Sequence, residues 1–271
     1  MNHEPEEASG VAVMGPHLTE FVYALGQGDR IVAVGNYSDY PPAVETLPRV
    51  GGYIDPDLEK LTLLDPAVLL LAGVYPKVTD FAAQRGIRVA NINMDSFGGI
   101  DAGIARLGEV LDCVPEAEAL RARMQREIKA LRTATANLPP VPVLILTGRA
   151  MHNLDTLHTV GRSSFVSEMV ALAGGRNLYH DEDTAYFEAS KETVVVRAPE
   201  AIIEFHAGEQ LSSADEAAFL HDWNALPALP AVQEGRILLV TASHALRPGP
   251  RILEIARRIA AFLHPTAELP Q

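Results

Sequence analysis

The chain has 271 residues, enough for one large or two modest domains, and is 48% hydrophobic against 21% charged, the profile of a folded protein rather than a disordered one. A formal net charge of −13 argues against nucleic acid, whose phosphates need dense Lys and Arg. A single cysteine, Cys113, excludes an internal disulfide framework and any multi-cysteine metal site, and no run approaches the roughly 18 apolar residues of a membrane span.

Residues 1–10, MNHEPEEASG, are acidic and polar, the reverse of a signal peptide, and are expected to be disordered. VAVM (11–14) and IVAVG (31–35) then read as strands, with HLTEFVYALG between them as a helix ending at Gly26. DLEKLTLL is a short helix, AVLLLAG a strand, KVTDFAAQRG a helix closed by Gly86, and IRVANI a strand. Strands this uniformly apolar, separated by helices, predict a parallel sheet covered on both faces. SFGGIDAGIARLGEVLD carries a helical period, and Cys113 after it reads as a small buried hydrophobe.

The next segment predicts one long helix. Pro115 and Glu116 suit its start, Lys129 and Arg132 its end, and Leu120, Met124, Ile128 and Leu131 form its apolar stripe, with Pro139 and Pro140 as the stop. After it the α/β pattern restarts: VPVLILTG as a strand, SSFVSEMVALAGG a helix, KETVVVR a short helix, AIIEF a strand, DEAAFLHDW a helix, RILLVTA a strand and PRILEIARRIAAFLH a closing helix. The expected fold is therefore α/β: two Rossmann-like lobes with mainly parallel central sheets, 11–113 and 139–271, joined by one long helix, 114–138. A repeat supports this division: Glu59 and Pro66 recur as Glu192 and Pro199, each 133 positions on, with a short helix, a turn and an apolar strand in both places.

GPHLTEFVYALGQGDRIVAVGNYSDYPP, LPRVGG, DLEKLTLLDPAVLL, GRSSFVSEMVALAGGRN, SKETVVVRAPEAII and RPGPRILEIARRIAAFLHP, in this order and spacing, resemble the cobalamin, haem and ferric-siderophore group of ABC-importer substrate-binding proteins. The resemblance extends from about Val11 to Pro265. It implies a ligand held in a cleft between the lobes without catalysis, a monomer, and as partners a membrane permease dimer with its ATPase. It also implies a periplasmic or extracytoplasmic location, a signal sequence having been removed; a cytoplasmic location stays open. In such binders an acidic residue on each lobe docks onto permease arginines, and Glu59 and Glu192 match those positions. The alternative for each is a Glu favoured by the dipole of a helix's first turn.

Loops at the carboxyl ends of the predicted strands carry the candidate ligand residues. In the first lobe these are Tyr37, Tyr40, Tyr53, Tyr75 and Phe97; in the second, Arg149, His152, Tyr186, Phe187, His206 and Arg247. Four of the seven tyrosines fall on first-lobe loops, which suits a flat or macrocyclic ligand held by stacking and phenolic hydrogen bonds. The resemblance implies that a tyrosine near the place of Tyr53 ligates iron if the ligand is haem, and His152 or His206 would be the candidates for a second axial ligand. Cobalamin or a related corrinoid is the expected ligand, because it presents neutral amides and the first-lobe loops offer few cations. Haem, a ferric siderophore, and a soluble corrinoid or haem carrier or sensor are the alternatives. Zinc is disfavoured by scattered histidines. Enzymatic chemistry is disfavoured because GRSSF reads as a helix N-cap at Ser163 and Ser164, with Glu168 following, and no phosphate loop or serine elbow is present.

Overall fold

The computed structural model describes residues 10–270; residues 1–9 of the segment expected to be disordered lie outside them. The chain divides into two compact units, with the division after Met124.

In the first unit the elements run β1 (Val11–Met14), α1 (Pro16–Ala24), β2 (Ile31–Val34), α2 (Leu58–Leu64), β3 (Val68–Leu71), α3 (Pro76–Arg85), β4 (Arg88–Asn91), α4 (Phe97–Val110) and the start of α5 (Val114–Thr135). The strands form one sheet in the order β2-β1-β3-β4, every pair parallel. Helix boundaries follow local chemistry. Pro16 and Pro76 occupy first-turn positions where a missing N–H costs nothing, and Gly86 ends α3 in the left-handed conformation at φ 68°. β1 and β3 are buried along their whole length, as strands covered on both faces must be.

α5 is one continuous helix of 22 residues, and the division between the units falls inside it. Leu120, Met124 and Leu131 are buried along its stripe and Ile128 is half-buried. Cys113, just before it, is buried, and that burial pushes its thiol pKa up.

The second unit continues with β5 (Val141–Leu146), β6 (Leu157–Val160), α6 (Phe165–Leu172), β7 (Gly175–Asn177), β8 (Tyr186–Ala189), α7 (Lys191–Arg197), β9 (Ala201–Phe205), α8 (Ser213–Asp222), α9 (Pro230–Gln233), β10 (Ile237–Val240) and α10 (Ile252–Leu263). Its sheet runs β10-β9-β5-β6-β8, with β7 also paired to β5. β10, β9, β5 and β7 are parallel, as expected, but β6 and β8 form an antiparallel arm that the sequence did not announce. Residues 147–156 hold no helix, so they return the chain as a hairpin-like connection, whereas a parallel partner would need a crossover. His158 and Glu188 on the arm face solvent, which breaks the apolar run that marked the other strands.

Among the described residues no helix is long and apolar enough to cross a membrane.

Candidate functional site

The all-parallel sheet of the first unit gathers the carboxyl ends of β1–β4 on one edge, where loops leave the strands and binding residues collect. Tyr53 stands at the centre of that edge. Its loop turns at Gly51, whose φ of 83° and surroundings admit only glycine: a Cβ there would lie 2.1 Å from the carbonyl oxygen of Asp55. The turn holds Val50 in the core and projects Tyr53, 49% exposed. The Tyr53 phenol donates to the carbonyl of Ala72 at 2.9 Å, and its ring stacks on Tyr75, centroids 4.5 Å apart and 19° from parallel. Tyr75 is itself buried and donates to the carbonyl of Met14 at 3.0 Å. Burial, with the neighbouring Tyr53 phenol, raises the Tyr75 pKa and keeps it neutral.

Beneath Tyr53, Gly73 is held by Asn91, which donates to its carbonyl at 2.6 Å and accepts from its N–H at 3.3 Å. A Cβ on Gly73 would come within 3.3 Å of the Tyr53 ring. One depression of about 430 Å³ is lined by Tyr53, His17, Val74, Asn91, Asn93 and Asp95. A second, of about 200 Å³, lies between Tyr53, Ile54, Tyr75 and Lys77. Tyr37, Ile54 and Val74 are 66%, 87% and 80% exposed. Large apolar side chains left in water around a fixed ring pair are what a ligand surface of stacking type looks like.

The structure thus brings together Tyr37, Tyr53 and Tyr75 of the expected first-lobe set. Tyr40 is exposed on the loop after Tyr37, and Phe97 is half-buried as the first residue of α4, behind its Ser96 cap. Arg49, the other cation in these loops besides Lys77, is occupied internally, donating to the carbonyls of Gly35 at 3.2 Å and Val44 at 3.3 Å and to that of Ser38. His17, Asn91, Asn93, Ile54 and Val74 were not singled out from sequence; the one cue was their place at a strand end.

The second unit corrects two expectations. Arg149 and His206 are internal rather than on a ligand surface: the Arg149 side chain has 0% exposure, as does that of Glu204, its partner at 3.1 Å. Arg149 also donates to Asp222 at 2.7 Å and to the Phe219 carbonyl at 2.7 Å. His206 bonds Glu204 at 3.1 Å and Glu209 at 3.2 Å, and the Trp223 indole donates to Glu204. The reason is Glu204, a carboxylate within β9 that is tolerated there only with partners on every side. Burial works against charge on His206, but the hydrogen bonds and negative charge of Glu204 and Glu209 together outweigh it, so its pKa is raised. Asp222 is lowered: burial pushes it up, but hydrogen bonds from Arg149 and His152 prevail.

His152 sits at φ 59° with its N–H and Nδ1 on Asp222 at 2.8 and 2.9 Å, leaving the ring 71% exposed. Tyr186 and Phe187, expected on a loop, lie in β8. Tyr186 is exposed, whereas Phe187 packs inward, edge-on to Tyr179 at 5.2 Å. Arg247 follows β10 and is half-buried. Among the described residues no group of three or more His, Cys, Asp or Glu is placed to hold a metal ion.

α2 and α7 are two versions of one device. Each has seven residues; Asp57 caps α2 by accepting from the Lys60 N–H at 2.8 Å, and Ser190 caps α7 by accepting from Thr193 at 3.3 Å. Leu61 and Val194 point inward with 0% exposure. Asp65 and Ala198 end them in left-handed conformation, at φ 39° and 47°, before buried Pro66 and Pro199. Glu59 and Glu192 are exposed in the first turns, and neither forms a salt bridge among the described residues.

Two α/β units, the first with a ring-lined strand-end surface, agree with the class that the family match assigns, a solute-binding protein. The periplasmic binding protein family matches residues 11–243, and the chain belongs to it; its members bind solutes and are not enzymes. The chain is 29% identical over 266 residues to the vitamin B12-binding protein of Vibrio cholerae serotype O1, covering 96% of this chain and 91% of that one. Among solved structures, the periplasmic vitamin B12 binding protein BtuF of Vibrio cholerae is 26% identical with a TM-score of 0.77, over 95% of this chain and 97% of that one. The periplasmic heme binding protein HutB of the same organism is likewise 26% identical, with a TM-score of 0.82 over 95% and 100%.

Proposed function

We propose that this chain is the solute-binding component of an ABC importer, working in the periplasm or another extracytoplasmic space, and that its cargo is cobalamin or a related corrinoid. The observation that carries the ligand class is the surface around Tyr53. It is a tethered ring pair flanked by exposed Tyr37, Ile54 and Val74 and by the neutral amides of Asn91 and Asn93, with Lys77 beside it as cation. Haem propionates and ferric catecholates are anions that call for several cations, and both Arg49 and Arg149 are already consumed internally. A corrinoid brings an apolar macrocycle with an amide rim, which stacking and neutral hydrogen bonds satisfy. The relatives named for vitamin B12 support the same choice. Glu59 and Glu192 would dock the loaded protein onto the two permease subunits as paired charges.

The second reading is haem, favoured by the half-exposed Tyr53, since a tyrosine phenolate suits a ferric centre, and by the resemblance to HutB. Adding cyanocobalamin, haemin and a ferric catecholate separately, with visible spectra and equilibrium affinities, tests the proposal. Tight cyanocobalamin binding without a Soret shift for haemin is expected. A haemin Soret shift lost on Tyr53→Phe, with no cyanocobalamin binding, would replace corrinoid by haem. Turnover of any of the three would count against a binding protein altogether.

A further inference from the structure

Packing accounts for most of the α2 and α7 device, but not for Leu63 and Val196. These two lie 133 positions apart, like Glu59 and Glu192, and are 85% and 84% exposed. One exposed aliphatic on a surface is ordinary. A matched pair is different, because each unit puts its aliphatic four residues after its glutamate, on the same helix face. Val196 is in addition a poor choice for an exposed helical position, where β-branching weakens the helix. Neither side chain contributes to its unit's core.

The second unit adds a recess at this face. A cavity of about 660 Å³ is lined by Glu192, Val195, Val196 and Leu226, with Asp155 and Asp222 on its wall. Asp155 is paired with Lys191 at 2.5 Å and Asp222 with Arg149 and His152, so Glu192 is the wall carboxylate that forms no salt bridge among the described residues. Such a recess suits a side chain with an apolar stem and a cationic tip, which is what arginine offers.

We infer that Glu59 with Leu63, and Glu192 with Val196, form two copies of a mixed carboxylate–aliphatic docking face. The partner is a membrane permease dimer that presents, on each half, a cation set beside an apolar contact. This rests on the docking reading given above and adds that charge alone does not make the interface. The aliphatic contacts supply attraction that salt does not screen, while the carboxylates supply steering that salt does screen.

The test is binding of the full chain to its permease–ATPase complex reconstituted in lipid nanodiscs, measured at low and high salt. Leu63→Ser/Val196→Ser is expected to weaken docking about tenfold or more at both salt concentrations, with the melting temperature unchanged because both sites are exposed. Glu59→Ala/Glu192→Ala is expected to weaken it most at low salt. Leu220→Ser, an exposed α8 position, is the control and is expected to change nothing. If the serine pair docks like wild type while the alanine pair does not, the mixed face is overturned and the docking reading stands. If neither pair weakens docking, both are overturned. A loss with Leu220→Ser as large as with the serine pair would mean nonspecific adhesion and also overturns the mixed face.

Discussion

Tyr53 lies against Tyr75 with ring centroids 4.5 Å apart, and each phenol is tethered to a main-chain carbonyl at the end of a different strand, Ala72 after β3 and Met14 in β1. The ring pair is therefore set by the sheet, and a surface set in advance loses less entropy on binding. Tyr75→Ala is expected to lower ligand affinity about tenfold although Tyr75 is itself buried. It should also cost about 3 kcal/mol of stability through the cavity it leaves. Titration of cyanocobalamin and urea unfolding check the two effects.

Gly51→Ala tests how the loop is built. With φ at 83° and a Cβ colliding with the Asp55 carbonyl, the loop has to shift and carry Tyr53 with it. Affinity is expected to fall at least tenfold, and the near-ultraviolet circular dichroism of the tyrosines to change.

The first unit was legible in the sequence because each strand is an uninterrupted apolar run between helices with Pro or Gly punctuation, as at Pro76 and Gly86. The β6–β8 arm was not legible, because His158 and Glu188 give it the polar pattern of a loop. The candidate surface was legible in part. Tyr37, Tyr53 and Tyr75 stand out as rare aromatics at strand ends, whereas Asn91 has no chemistry that marks it until β3 and β4 bring it to Gly73. Arg149 and His206 misled because local sequence gives no sign that Glu204, in the middle of an apolar strand, needs their hydrogen bonds.

That buried cluster makes its own prediction. Glu204→Ala leaves the Arg149 Nε and the Trp223 indole N–H without their acceptor inside the second unit, and is expected to cost about 3–5 kcal/mol. Denaturant unfolding measures it, and the exposed Tyr53 surface of the first unit should keep its ligand affinity.

The same cluster gives stability a dependence on pH. Because the His206 pKa is raised in the folded protein, its contribution is complete below the ordinary histidine value of about 6.5 and is lost as pH rises through the folded value. Asp222 acts oppositely: its lowered pKa contributes above the ordinary carboxylate range and is lost as pH falls. His206→Gln is therefore expected to destabilise most near pH 6 and least near pH 9, in urea unfolding at matched ionic strength.

The measurement that bears most directly on the central claim is calorimetric titration of cyanocobalamin into the wild-type chain and into Tyr53→Ala. Saturable one-to-one binding, weakened at least tenfold by the substitution, is the predicted result. No binding by the wild type, or equal affinity in the two chains, would contradict a corrinoid site built on Tyr53.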